Sequence, residues 1–291
     1  MSIVNGLEHI LRENEPLAPH TRLKLGGVAE YFAEPTNESE LTELVKRFSQ
    51  SELPIRLIGS GSNVLVREEG VPGLVISLSA PEFCKLSVDG NRLVASGGTK
   101  LSHFVSTSIR EGFSGPENLV GIPGTVGGAL HENTGVAGYD IGSGLVAARV
   151  MTRSGEIMKR DRDSFTFSYR QSSLDELVIL DATFEFDRED SIALTKRMQK
   201  LWIVRRTSQP AAETSVYVFK NHGVQSASEL IEQSGLKGTR VGDVEISDLD
   251  PNTFVAYKNA SCSDVLRLID LVKNQVSEKI GVDIQTSLEI W

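Results

Sequence analysis

The stretch Gly121-Ile-Pro-Gly-Thr-Val-Gly-Gly-Ala129 constrains this chain more than any other. It sets four glycines and a proline into nine residues between segments that read as ordered structure. Glycine reaches backbone angles closed to other residues and lets a ligand approach the main chain with no Cβ in the way. Successive N–H groups in such a loop form an anion-binding concavity, and a dinucleotide pyrophosphate suits it. A second loop, Gly59-Ser-Gly-Ser-Asn63, follows the strand-like Ile55–Ile58. Neither loop has the order of a Rossmann turn or a P-loop. Their glycine density still favours a nucleotide over a plain turn, and the mixed α/β remainder suggests a cofactor clamped between lobes.

Composition narrows the partners. The chain has 291 residues, 40% of them hydrophobic, enough for one large domain or two to three smaller ones. Lys and Arg number 30 against 39 Asp and Glu, a net charge of −9 with no basic run, so no nucleic-acid partner is expected. The N-terminal stretch from Met1 to Leu11 has neither a basic nor an apolar leader region, and no apolar run approaches the roughly 20 residues of a membrane span. A cytoplasmic protein without a membrane partner is expected. Cys84 and Cys262 match no metal or redox spacing and read as buried thiols. His20, His103, His131 and His222 form no ligand spacing, so no metal site is expected.

Periodicity supplies the elements. Ile3, Val4, Leu7, Ile10 and Leu11 predict a short opening helix; Leu41, Leu44, Val45 and Phe48 predict a second, with N-cap candidates at 37–39. Strands are expected at 74–78, 92–96 and 178–186, and a helix from Leu101 closed by Gly112. A charged helical stretch runs from Asp187 to Arg206. Beyond it, Ser226-Ala-Ser-Glu229 has capping-box spacing, Val265 to Ile280 reads as a long amphipathic helix ended by Gly281, and Ile284–Trp291 reads as a strand. Glu117, just ahead of the glycine loop, reads as its brace.

Three blocks carry a resemblance. His20-Thr-Arg-Leu-Lys-Leu-Gly-Gly27 with Pro35, Leu57–Val66 with Gly70 and Gly73, and Gly121–Gly128 closely resemble the MurB family, the flavin-dependent UDP-N-acetylenolpyruvoylglucosamine reductases of bacterial peptidoglycan synthesis. Phe167-Ser-Tyr-Arg-Gln-Ser172 is similar to that family's tyrosine–arginine motif. Gln209-Pro210, Phe219-Lys-Asn221 and Leu230–Gly238 with Gly242 resemble its substrate domain. The short Asn133–Ile141 region looks like the compact type without an inserted tyrosine loop. The resemblance implies an α+β fold of the vanillyl-alcohol-oxidase/MurB type: two FAD-binding subdomains, 1–80 and 81–190, and a C-terminal α+β substrate domain, 191–291. It implies tightly bound FAD, NADPH as reductant, a UDP-sugar substrate and a monomer. FAD would be held by Gly59, Ser60, Gly61, Ser62 and Asn63, by Gly121, Ile122, Pro123, Gly124, Thr125, Gly127 and Gly128, and by Asn133. Tyr169, Lys220 and Asn221 would bind substrate. Arg170 would steady the enolate-like charge on the substrate carboxylate, where a guanidinium lowers the barrier.

The departures lie in the acid–base pair. Two residues before Phe219, where the family has a proton-donating serine, stands Tyr217, and the glycine before it is Val216. The family's glutamate near the C-terminus falls at Ser287, with Glu289 two residues on. His222 and Asp250-Pro-Asn-Thr253 replace a proline and a His-Ala-Asn-Phe-like run. Three readings stay open: a reductase in which Tyr217 gives the proton and Glu289 or another acid replaces the glutamate, a flavoprotein paralogue with another electron acceptor, and a non-catalytic flavin or UDP-sugar binder. Which of Arg205 and Arg206 faces the site is open as well.

Overall fold

The computed structural model describes residues 3–136, 138–211 and 213–291. The chain divides into two compact units that interleave in sequence. The first comprises Met1–Glu15, Ala29–Ser60 and Pro72–Ile203; the second comprises Pro16–Val28, Gly61–Val71 and Val204–Trp291. Among the described residues, no helix is long and apolar enough to cross a membrane.

Two sheets build the first unit. One has four strands in the order Leu11–Pro16, Val28–Ala33, Val71–Ser77 and Ile55–Ile58, the last two parallel with Ile55 opposite Leu74. Helix α1 (Glu38–Gln50) lays Leu41, Leu44, Val45 and Phe48 on a core with Ile55, Leu74 and Ile76. The spacing of those four residues is that of one helical face. Its N-cap is Asn37, whose side chain accepts from Glu40 N–H at 3.0 Å. The second sheet is antiparallel, ordered Ile157–Asp161, Leu145–Met151, Val178–Glu185, Arg92–Ser96 and Leu86–Asp89. Helix α2 (Leu101–Arg110) covers it, with Phe104 packed 4.8 Å from Phe184 between ring centres. The six-residue α3 (Val126–His131) takes up the second half of the glycine stretch 121–129, which the sequence suggests as loop throughout, and α4 (Ser191–Ser208) contributes Leu194 to this core.

The second unit centres on an antiparallel sheet ordered Ser215–Tyr217, Thr253–Ala256, Val244–Ile246 and Arg240–Val241. Helices α5 (Ala227–Gln233) and α6 (Cys262–Ile280) share its core, each opened by a capping box, and Gly281 closes α6 at φ +76°. Leu23 and Leu65, from the two early stretches, sit in that same core. Val64–Leu65 pairs in parallel with Glu289–Ile290.

Two expected elements come out differently. The opening helix is a run of turns leading into the strand Leu11–Pro16: Gly6, at φ +81°, breaks the helical path. Leu7, Ile10 and Leu11 are buried all the same, so the apolar spacing serves turns. Met1, Ser2, Ala137 in the Asn133–Ile141 stretch, and Ala212 lie outside the described residues. At the other end, only Glu289–Ile290 of the expected strand 284–291 is regular. The preceding residues instead follow 218–220, with Lys220 N–H donating to Gln285 O (2.8 Å) and Ser287 N–H to Val218 O (2.7 Å).

Candidate active site

In the first unit the glycine loop is fixed at both ends. Before it, Gly115 at φ +115° donates its N–H to Glu117 Oε2 at 2.6 Å, and Arg197 of α4 donates to Glu117 Oε1 at 2.6 Å. The Glu117 carboxylate is thus the brace the sequence suggests, 1% exposed and answered by a cation. Tyr139 packs its ring against Gly115, and its buried hydroxyl has no hydrogen-bond partner among the described residues; burial, then Glu117, raises its pKa, making it a poor acid. After the loop, Thr125 caps α3 by accepting from Gly128 N–H at 3.3 Å, and Gly127 N–H donates to Gly97 O at 2.8 Å.

The glycines divide into two kinds. A Cβ on Gly59 would stand 2.7 Å from Thr125 Oγ1, so the two loops touch here. A Cβ on Gly127 would stand 3.0 Å from Gly97 O. In the second unit, Gly61, at φ +59°, would bring a Cβ to 2.1 Å from His20 O, and Arg22 N–H donates to Gly61 O. Protein neighbours demand glycine at these three positions. Exposed Gly128 is different: a Cβ there would meet only Thr125 Oγ1, at 3.4 Å.

Asn133, 2% exposed, commits its side chain to protein: Nδ2 donates to Ser168 O at 2.9 Å and Oδ1 accepts from Gly142 N–H at 3.2 Å. Ser168 lies in the hairpin Phe167–Ser168/Gln171–Ser172, whose two-residue turn is Tyr169-Arg170. Tyr169 is exposed. Arg170 takes φ +53°, is half-buried, and has no hydrogen-bond or ion-pair partner among the described residues.

In the second unit, Asn63 Nδ2 donates to Ser287 O at 2.8 Å and Glu289 N–H donates to Asn63 O at 3.0 Å. Ser287 in turn lies against Val218, next to Tyr217 in Ser215–Tyr217. Asn63 and the positions of the expected acid–base pair therefore share one local cluster of the second unit. Ser62 and Tyr217 are half-buried, and Glu289 is exposed, its Oε1 accepting from Trp291 Nε1 at 3.0 Å. The half-buried Lys220 ammonium has no partner among the described residues. Asn221 Oδ1 accepts from Ala227 N–H at 3.1 Å, at the start of α5. Of the two α4 arginines, Arg205 is half-buried and Arg206 exposed.

Sequence reasoning missed Asn252. Fully buried, it accepts from Phe219 N–H with Oδ1 and donates to Phe219 O with Nδ2, both at 2.8 Å, completing the main-chain bonds of the segment between Tyr217 and Lys220. The signal was present, because the asparagine of the family's His-Ala-Asn-Phe-like run survives at this position.

Residues 29–160 match the FAD binding domain, and residues 209–291 match the C-terminal domain of UDP-N-acetylenolpyruvoylglucosamine reductase. A UDP-N-acetylenolpyruvoylglucosamine reductase of Rhodopirellula baltica is 41% identical over 286 residues, 98% of this chain and 94% of that protein. The chain belongs to the MurB family. The Bacillus subtilis member is 34% identical over 95% of the chain and 92% of its own length. The crystal structure of MurB from Thermus caldophilus superposes with a TM-score of 0.84 at 32% identity, covering 97% of this chain and 99% of that one. The fold is accordingly the α+β FAD-binding fold expected from the sequence, and MurB proteins are FAD-dependent oxidoreductases.

The residues present fit FAD. A diphosphate needs main-chain donors and clearance at the backbone. Among the described residues, the N–H groups of Gly121, Gly124 and Thr125 donate to no main-chain carbonyl. Gly121 and Gly124 hold the loop open at φ +78° and +142°, beside the clear face of Gly128.

Proposed function

We propose that this protein reduces UDP-N-acetylglucosamine enolpyruvate to UDP-N-acetylmuramate with electrons from NADPH, a step of peptidoglycan precursor synthesis in the cytoplasm that underlies cell shape and division. It acts as a monomer, with no nucleic-acid or membrane partner. The observation that carries the reading is the half-buried, unpartnered Arg170 in a chain of this family.

Each residue has a part. Gly59, Ser60, Gly61, Ser62, Asn63, Gly121, Ile122, Pro123, Gly124, Thr125, Gly127 and Gly128 form the main-chain surface for FAD. When bound, FAD carries two electrons from NADPH to the enolpyruvyl double bond. Lys220, with its free ammonium, pairs with a substrate phosphate, while Asn221 and Tyr169 line the sugar. Arg170 meets the substrate carboxylate and offsets the charge that grows there as the double bond is reduced. The carbon next to the reduced one needs a proton, and the Tyr217 phenol supplies it, a phenol being intrinsically a stronger acid than the aliphatic alcohol of a serine. Glu289 substitutes for the missing glutamate.

Tyr217 and Ser287 at the expected serine and glutamate positions favour a second reading, a flavoprotein that takes electrons from NADPH and passes them elsewhere. One anaerobic experiment separates the two. NADPH should bleach the flavin bands, and the enolpyruvyl sugar should restore them. Bands that stay bleached establish the paralogue; bands that never bleach leave only a binding protein. Loss of the second phase in Tyr217→Phe, with the first intact, identifies the acid, and Glu289→Gln tests the remaining carboxylate in the same way.

A further inference from the structure

Arg170 stands on a hairpin too small to hold itself. Its strands are two residues each, Phe167–Ser168 and Gln171–Ser172. Isolated hairpins are marginal even at greater length. The turn also places a non-glycine residue at φ +53°, which costs about 1 kcal/mol. Something outside the hairpin must set where the guanidinium lies.

The end of α3 does so from both sides. On the entry side, Asn133 Nδ2 donates to Ser168 O at 2.9 Å, the last carbonyl before Tyr169-Arg170. On the exit side, His131 Nδ1 lies 3.1 Å from Leu174 O, a bond that requires the proton on Nδ1. Leu174 N–H is itself tied to Ser172 Oγ at 3.1 Å. Asn133 is anchored in turn, its Oδ1 accepting from Gly142 N–H, and Gly142 permits this because a Cβ there would sit 2.8 Å from Asn133 Oδ1 and 2.7 Å from the Phe167 ring. Asn133 adopts φ +47°, a left-handed conformation that asparagine tolerates better than most residues. The Asn133–Ser168 and His131–Leu174 bonds each run from a side chain at the end of α3 to a main-chain carbonyl beside the hairpin.

We propose that Asn133 and His131 are positioning residues for Arg170. Through them α3, whose first turn is capped beside the glycine loop, also fixes the guanidinium. This extends the proposed function, resting on its assignment of Arg170, and gives Asn133 a role distinct from direct contact with FAD.

The test uses Asn133→Asp, His131→Ala and Arg170→Ala in the full-length protein. Asn133→Asp is nearly isosteric and keeps the acceptor for Gly142 N–H, but turns a carboxylate oxygen toward Ser168 O. Three quantities are read: FAD affinity of flavin-stripped protein by fluorescence titration, flavin bleaching by NADPH, and recovery of the bands with the enolpyruvyl sugar over a range of concentrations. Asn133→Asp should leave the first two unchanged and slow the maximal recovery by about tenfold, the weight of a lost hydrogen bond in the reaction step. His131→Ala should act in the same direction, less strongly. The double variant with Arg170→Ala should be no slower than Arg170→Ala alone, because both changes act through one group.

Weakened FAD binding in Asn133→Asp with normal recovery would make Asn133 a cofactor ligand and overturn the proposal. Normal recovery in both Asn133→Asp and His131→Ala, with Arg170→Ala slow, would also overturn it while leaving the role of Arg170 intact. Normal recovery in Arg170→Ala would refute that role itself. If Asn133→Asp does not fold, the exposed His131 variant decides.

Discussion

Gly128→Ala separates a glycine kept for the fold from one kept for a ligand. Gly128 is the third residue of α3, and its added Cβ would have Thr125 Oγ1 at 3.4 Å as its only neighbour within contact range. With no clash, the change exchanges glycine for the best helix former, a gain of about 0.5–1 kcal/mol. That corresponds to a rise in Tm of about 1–3 °C for the flavin-stripped protein. If a diphosphate rests on this face, the same methyl group intrudes on it. Overpacking of this kind costs about 1–3 kcal/mol, so the Kd for FAD should rise roughly five- to a hundredfold. Gly127→Ala is the control. Its Cβ would meet Gly97 O at 3.0 Å and Gly97 Cα at 3.3 Å, main-chain atoms that cannot rotate away, so Tm should fall. Differential scanning fluorimetry of stripped protein and flavin-fluorescence titration give both quantities. A lower Tm for Gly128→Ala, or an unchanged Kd for FAD, would refute the assignment of this face to the cofactor.

Three further outcomes follow from the geometry. Asn252→Ala leaves the buried N–H and C=O of Phe219 without partners, and urea unfolding should show a loss of about 2–5 kcal/mol. The Glu40 carboxyl is held at about 2, first by the Thr36 N–H and also by His9. A depressed folded pKa stabilises the protein above the ordinary carboxylate range, and the benefit is lost as pH falls from about 4.5 towards 2. The Tm difference between wild type and Glu40→Gln should therefore be full at pH 6 and shrink to nothing across that window. Burial pushes the Cys262 thiol up to about 12 and also raises half-buried Cys84, so a thiol reagent at pH 8 should label Cys84 slowly and Cys262 only on unfolding. Comparison with Cys84→Ser assigns the slow phase.

Much of this architecture was legible wherever the determinant is local. The Asn37 cap, both ends of α6 and the capping box at Ser226 lie within a few residues of what they control. The opening helix failed because an apolar spacing of three and four also suits successive turns, and one left-handed glycine decides between them. The Gly59–Asn63 stretch was readable as a loop, whereas the expected loop 121–129 turns helical from Val126 onward, because Thr125 caps α3 there. What each glycine makes room for was not readable, because the atom that excludes a Cβ at Gly61 belongs to His20 and the one at Gly127 belongs to Gly97. Asn133 stands out in the sequence through the family resemblance, whereas its commitment to Ser168 depends on a hairpin 35 positions away. Asn252 was hidden for the same reason: its partner, Phe219, is 33 positions distant.

The interleaving of the second unit has a consequence for the nascent chain. Asn63 and Ser287, bonded side chain to main chain, are 224 residues apart in sequence, and the Val64–Leu65 strand waits for Glu289–Ile290. At ordinary translation speeds that separation lasts on the order of 10–45 s. Through that interval Leu23 and Leu65 have no core to enter, while the first unit is being completed around them in sequence. A fragment starting at residue 209 would lack both leucines and the strand that pairs with its own last one. The second unit is therefore expected to form late, by docking of segments far apart in sequence, and to be the part of the newborn chain most in need of protection from aggregation.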